Sequence, residues 1–563
     1  MLSTMQRHPL TVTTLLRHGA TVHGRSEVVT WEGGAARRAT YAEVAARATR
    51  LAAALRGLGI EGDQRVATLM WNNQEHLEAY LAVPAMGAVL HTLNLRLPAE
   101  QLRHIAHHAE DRVVLVDASL LPLLSPLLPD LPAVEHVIVV GDVPLPDLPL
   151  VHVHGYEELL AAAPSHVDWP DLDEDAAAAM CYTSGTTGDP KGVVYSHRSI
   201  YLHSMQVCMP ESLGLDDSVR ALAVVPMFHA MAWGLPYAAF MVGTSLLLPG
   251  PHLQAAPLAE FIAAHRPHTA AAVPTVWSAL LAHLDTHGGD VASLREVLVG
   301  GAACPAALMT GFEERHDVRV IAAWGMTETS PLGTVARTPH HARSGEAEAE
   351  ADSESESESE SEPAMEYRTT AGRPPAGVEL RLVSQDDGSV LPQDGVAVGE
   401  VEVRGPWVTG SYHLIGRPAD KFHDGWLRTG DLGTLTPDGY LRLTDRAKDV
   451  IKSGGEWISS VELENHLMAH PAVREAAVIG VPDDRWDERP LAVIAGHPTP
   501  VDYPCLHAYL AEHLARWQLP ERWTTVREIP KTSVGKFDKK ELRRQYAQGE
   551  LTVTDIRAAG VAP

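Results

Sequence analysis

The sequence predicts an α/β fold with a large N-terminal domain and a small α+β domain at the C-terminal end. Three observations carry that expectation. Amphipathic helical stretches alternate with short apolar runs through the first half of the chain, as in a parallel sheet buried on both faces. At 563 residues the chain exceeds what one hydrophobic core organises, so at least two domains are expected. Beyond Asp445 a second unit of about 115 residues begins, with a helix, a strand and a lysine-rich stretch from Lys531 to Lys540, enough for an independent small domain.

The individual elements follow from local chemistry. Thr40 and Glu43 form a capping-box pair, and Tyr41, Val44, Ala45, Ala48, Leu51, Ala52 and Leu55 recur at helical spacing until Gly57 and Gly59 stop the run. Val113 to Val116, Val137 to Val140 and Ala176 to Cys181 read as buried strands. In the small unit, Val461 to Ala469 reads as a helix and Ala476 to Gly480 as a strand. The stretch from Ala221 to Ala259 lacks Asp, Glu, Lys and Arg and is long enough to cross a bilayer, but Pro226 and Pro236 would break a spanning helix, so it is assigned to the packed interior.

Composition narrows the function. The net charge is −27, and Glu346 to Glu362 holds nine acidic and no basic residues, so the remainder still carries −18. Such a chain repels nucleic-acid backbones, and any phosphate must be met by a few local cations. The Ser-Glu alternation from Ser353 to Glu362 has nothing apolar to bury and is expected as a solvated insertion. The four cysteines lack metal-ligand spacing, and Arg7, His8, Arg17 and His18 interrupt any signal-peptide core, so a reducing, cytoplasmic location is expected. His104, His107 and His108 have no accompanying carboxylate or cysteine cluster and are assigned to a solvated face rather than a metal.

The stretch YTSGTTGDPKG, Tyr182 to Gly192, has the chemistry of an anion loop. Glycines let the backbone approach a phosphate, Thr183, Ser184, Thr186 and Thr187 add hydroxyls, and Lys191 adds charge. It does not follow the G-x-x-x-x-G-K-[ST] spacing of a P-loop. The loop resembles the signature of the adenylate-forming superfamily of acyl-CoA synthetases, luciferases and peptide-synthetase adenylation domains. Further blocks resemble that family in order: VPMFH (225–229), GGAA (300–303), WGMTETSP (324–331), GWLRTGDLG (425–433), DRAKDVIKSGGEW (445–457) and PKTSVGK (530–536).

The resemblance implies an adenylate-forming domain of layered sheets and helices over 1–445, a hinge at 446–448 centred on Lys448, and a mobile C-terminal domain over 449–563. It implies ATP, Mg²⁺ and coenzyme A as cofactors and cosubstrate, with nucleotide contacts from Ser184, Gly185, Thr186, Thr187, Gly188, Lys191, Gly301, Ala302, Trp324, Gly325, Thr327, Asp431 and Arg446. Glu328 and Ser184 are the implied metal ligands, and Thr183, Glu328, His229 and Lys536 the implied catalytic set. Trp324 stands where the family commonly has Tyr, and Ala323 where it often has Gly. His229 and Trp233 are expected at the acyl pocket. Lys452, Gly454, Gly455 and Trp457, in the SGGEW block, are expected to meet coenzyme A, whereas peptide-synthetase domains carry a KIRG-like sequence there.

The function implied is a fatty acid:CoA ligase proceeding through an acyl-adenylate. Its rivals are an aryl- or short-chain acid CoA ligase, and a catalytically inactive acyl- or nucleotide-binding module. The uncharged run His229 to Phe240 favours an apolar acyl tail. The expected partners are therefore fatty acid, ATP and CoA, with no nucleic acid and no transmembrane segment; room remains for transient contact with a membrane surface and for a homodimer.

Overall fold

The computed structural model describes residues 1–183, 189–342, 362–454, 456–483, 485–496, 501–532 and 535–556. The acidic insertion 346–361 and the loop positions Ser184, Gly185, Thr186, Thr187, Gly188 and Gly455 lie outside the described residues.

Two sheets form the centre of the large domain. One has seven strands, with Ala177–Tyr182 next to the edge strand Gly192–Ser196; the other has eight, with Thr269–Ala272, Glu296–Val299 and Arg319–Trp324 as parallel neighbours. Most pairings are parallel because helices connect successive strands and cover the sheet faces, and the strands read as continuous apolar runs for the same reason. The expected elements are present: the helix Tyr41–Gly57 with its Thr40–Glu43 capping box, and the strands Val113–Asp117 and His136–Val140. A five-stranded sheet with antiparallel pairings follows (379–446), then the small domain's six-stranded mixed sheet over 451–555, which carries the helix Ser460–Ala469 and the strand Val473–Asp483.

The uncharged stretch Ala221–Ala259 is divided among strand, turn, the helix Leu235–Val242 and the strand Ser245–Leu248. Among the described residues no helix is long and apolar enough to cross a membrane. Tyr237 and Phe240 are fully packed in the interior, Phe240 stacked on Tyr41 at 4.0 Å between ring centroids. Of the uncharged run His229 to Phe240, the C-terminal part is therefore core.

One local feature was not legible in the sequence. Ala230, Met231, Ala232 and Trp233 all have positive φ, 42°, 55°, 50° and 54°, and Gly234 continues at 75°, making a left-handed turn. Left-handed geometry costs about 1–2 kcal/mol per non-glycine residue, so packing must impose it. Asn72 does part of this. Its side-chain amide donates to the carbonyls of Ala223 and Val225 at 2.7 and 2.9 Å, and its Oδ1 accepts from Met227 N–H at 2.7 Å, fixing the chain just before the turn.

Candidate active site

Parallel sheets place their functional loops beyond the carboxyl ends of the strands, and this site is assembled there. Thr183 follows the strand Ala177–Tyr182, Gly300 and Gly301 follow Glu296–Val299, and Gly325 to Glu328 follow Arg319–Trp324. A cavity of about 200 Å³ brings together Thr183, Lys191, His229, Trp233, Gly301, Trp324, Gly325, Thr327, Glu328, Arg446 and Lys536. A contiguous cleft of about 600 Å³ between the two domains shares Gly301, Trp324, Arg446 and Lys536 and adds Ala302, Asp431 and Lys448.

Lys536 reaches this cavity from the small domain. Its loop is held by Thr532 N–H donating to the Lys536 carbonyl at 2.7 Å, and Thr275 of the large domain donates its hydroxyl to the Gly535 carbonyl at 3.3 Å. The Lys536 chain lies over Gly301, whose φ is +84°; a Cβ there would stand 3.3 Å from Lys536 Cε. Burial, reinforced by the charges of Arg446 and Lys448, brings the Lys536 ammonium down to about 8 against the opposing pull of Asp431 and Glu328. It is a cation at neutral pH with little margin.

Around the nucleotide candidates, Trp324 Nε1–H donates to Asp431 Oδ2 at 2.8 Å, and Arg446 Nε pairs with Asp431 Oδ1 at 3.2 Å. The indole that replaces the family's common phenol is therefore tied directly to the carboxylate expected at the ribose. Glu328 is buried, which raises its pKa, and Tyr412 O–H donates to its Oε1 at 2.8 Å. Among the described residues no group of three or more His, Cys, Asp or Glu could hold a metal ion. A lone buried carboxylate suits Mg²⁺, which takes one or two carboxylates and fills its remaining positions with phosphate oxygens and water.

The cavity's other end is apolar: Val207, Leu213, Leu298 and Leu332 line it with Trp233, whose ring rests on Gly300 so closely that a Cβ there would meet it at 2.8 Å. Burial, with the charges of Lys536 and Arg96 next in weight, holds His229 down to about 3, so its imidazole is neutral. The lining from Val207 to Leu213 lies beyond any recognisable motif and was missed in the sequence, as was Tyr412.

Lys452, Gly454 and Trp457, expected to meet coenzyme A, line neither cavity; they sit on an exposed hairpin of the small domain, where Gly454 (φ +61°) packs against the Trp486 ring and donates its N–H to the Trp486 carbonyl at 2.8 Å. His108, expected on a solvated face, is half-buried: it hydrogen-bonds through Nδ1 with the Tyr182 hydroxyl at 2.7 Å and lies edge-on to His413.

A lysine from one domain, sharing a cavity with a carboxylate, a second lysine and an arginine of the other beside an apolar recess, is the site of an adenylate-forming enzyme. The chain belongs to the AMP-binding enzyme family: the family model matches residues 16–413, and that of the AMP-binding enzyme C-terminal domain matches 462–536. It is 44% identical to a 3-methylmercaptopropionyl-CoA ligase of Ruegeria pomeroyi, covering 97% of this chain and 99% of that one. It is also 44% identical to a long-chain-fatty-acid–CoA ligase of Thermus thermophilus, covering 97% of each. Among solved structures, the anthranilate CoA ligase AuaEII in complex with anthranoyl-AMP superposes with a TM-score of 0.84 at 28% identity, covering 97% of this chain and all of that one.

Proposed function

We propose that the chain is an ATP-dependent fatty acid:CoA ligase for medium- or long-chain acids. The observation that carries this reading is the placement of Lys536 in the same cavity as Lys191, Glu328 and Arg446, next to an apolar recess. In the first step the acid's carboxylate attacks the α-phosphate of ATP, releasing pyrophosphate and leaving acyl-AMP. Lys536 would lie between the two approaching anions, where a preorganised cation offsets repulsion that grows toward the transition state. Neutral His229 orients the carboxylate, Asp431 and Arg446 hold the ribose side, and Trp324 flanks adenine. Mg²⁺, held by Glu328 together with the Ser184 hydroxyl, would neutralise charge on the phosphates.

In the second step the thiol of CoA attacks the acyl carbonyl and AMP leaves. The hairpin bearing Lys452, Gly454 and Trp457 would meet CoA, together with Gly455 of the same sequence block, after the small domain, 449–563, turns about Lys448 in the 446–448 hinge, bringing that face to the cavity and taking Lys536 away. A binding module would have no use for a lysine delivered on a separate domain, which weighs against an inactive chain. Four unpaired cysteines support a cytoplasmic setting.

Pyrophosphate release measured across acids from acetate to palmitate, with benzoate and 3-methylmercaptopropionate added, tests the reading with and without CoA. The expected profile peaks at medium or long alkyl chains and requires CoA for sustained turnover. A peak at benzoate or at the shortest acids would move the assignment to an aryl- or short-chain acid ligase, and no release with any acid would refute it.

A further inference from the structure

Lys191 and Glu328 face one cavity with opposite charges, yet among the described residues neither is in an ion pair. Two opposite charges sharing a poorly solvated site would ordinarily neutralise each other unless something holds them apart. The residue between them is Tyr412. Its hydroxyl donates to Glu328 Oε1 at 2.8 Å, and its ring lies beneath the Lys191 ammonium, 5.1 Å from Nζ to the centroid.

Tyr412 is itself anchored on both sides. Thr409 N–H donates to the Glu328 carbonyl at 2.8 Å, and His413 N–H donates to the Gly192 carbonyl at 2.9 Å, so the segment 409–413 is a cross-piece between the Glu328 turn and the strand that follows Lys191. The ring is 4% exposed, packs edge-on against Phe422 at 5.5 Å, and closes a short turn through Tyr412 N–H to the Gly416 carbonyl at 2.8 Å. A side chain fixed at both backbone ends and in contact with both charges has little freedom to do anything but set their separation.

We propose that Tyr412 is a positioning residue for the first half-reaction: its hydroxyl orients the Glu328 carboxylate toward the metal–nucleotide complex while its ring seats the Lys191 ammonium against the phosphates. This rests on the ligase reading above. A hydrogen bond to a charged group and a partly desolvated cation–π contact both have the strength to matter, and they act on different ligand parts. They are therefore separable by mutation.

The test is titration calorimetry of ATP, with and without Mg²⁺, on the full chain, beside rate measurements of each half-reaction. Tyr412→Phe keeps the ring and loses the hydroxyl. ATP alone should bind as in the parent, the gain in affinity on adding Mg²⁺ should shrink at least about fivefold, and acyl-AMP formation should fall by about tenfold, the scale of one hydrogen bond to a charge. Conversion of supplied acyl-AMP and CoA to acyl-CoA should not change. Tyr412→Leu should in addition weaken metal-free ATP binding several-fold. A parent-like Mg²⁺ gain in Tyr412→Phe would overturn the proposal, and so would equal loss in both half-reactions or failure of this near-isosteric variant to fold. Absence of adenylate formation in the parent with every acid would instead refute the ligase reading, leaving the Mg²⁺·ATP comparison to decide the role of Tyr412 in nucleotide binding.

Discussion

The two faces that the small domain offers to chemistry differ sharply in this structure. Gly535 and Lys536 are half-buried against Thr275 and Gly301, whereas the hairpin carrying Lys452, Gly454 and Trp457 is exposed, Trp457 at 40% and its neighbour Trp486 at 39%. These two partly exposed tryptophans give the proposed CoA face an aromatic surface. On the reading proposed above, one conformation equips one half-reaction, and each prediction below tries to break that division.

The largest expected effect is from Lys536→Ala. Acyl-AMP formation should fall by roughly 10² to 10³, the cost of removing one preorganised electrostatic partner of a transition state, while conversion of supplied acyl-AMP and CoA stays near the parent rate. Equal damage to both steps would mean that the lysine is structural.

Gly454→Ala should do the reverse at smaller scale. At φ +61° the new Cβ would stand 2.6 Å from the Trp486 ring, so the hairpin must shift. Thioester formation should drop roughly tenfold with adenylation spared, measured by the same paired assays; loss of adenylation alone would contradict the division.

The pH dependence follows from the buried ammonium. With Lys536 held down to about 8, the useful cation is present below that pH and lost above it, so kcat/KM for ATP in the adenylation step should decline as pH rises through about 8. Bound ATP adds negative charge and favours the cation, so the decline in kcat should lie at higher pH. In Lys536→Ala this limb should disappear; its persistence would assign it to another group.

Trp233→Ala opens the apolar end against Gly300 and should shift the preferred chain length or leak acyl-AMP to water by a few-fold. An unchanged profile with unchanged leakage would remove Trp233 from the pocket. Removal of 346–362 is expected to change neither half-reaction nor melting temperature, because the cost of loop closure varies slowly with length; loss of folding would refute the spacer reading.

Much of this was legible in the sequence because it depended on local chemistry. Thr40 and Glu43 specify a capped helix wherever they occur, and the run Ala177–Tyr182 is a strand because its alanines, Met180 and Cys181 fit a sheet buried on both faces. What escaped was set by tertiary contact. The left-handed turn at Ala230 to Trp233 contradicts the local preference of all four residues and exists because the surrounding structure imposes it. Tyr412 lies in GSYHLIG, an ordinary loop sequence, 84 positions from Glu328, and only the folded chain puts its hydroxyl on that carboxylate. The contact of half-buried His108 escaped for the same reason: its partner, Tyr182, is 74 positions away.

The most direct test of the account is a two-stage, single-turnover experiment on the parent protein. With excess protein, α-labelled ATP, Mg²⁺ and a medium-chain acid, but no CoA, label should accumulate as protein-bound acyl-AMP at close to one per chain, with pyrophosphate released in step. After free ATP is removed, adding CoA should convert that label to AMP and yield acyl-CoA in equal amount. Release of ADP and phosphate in the first stage, or acyl-CoA that forms only when ATP and CoA are present together, would contradict a separate adenylate and with it the division of labour between the two faces.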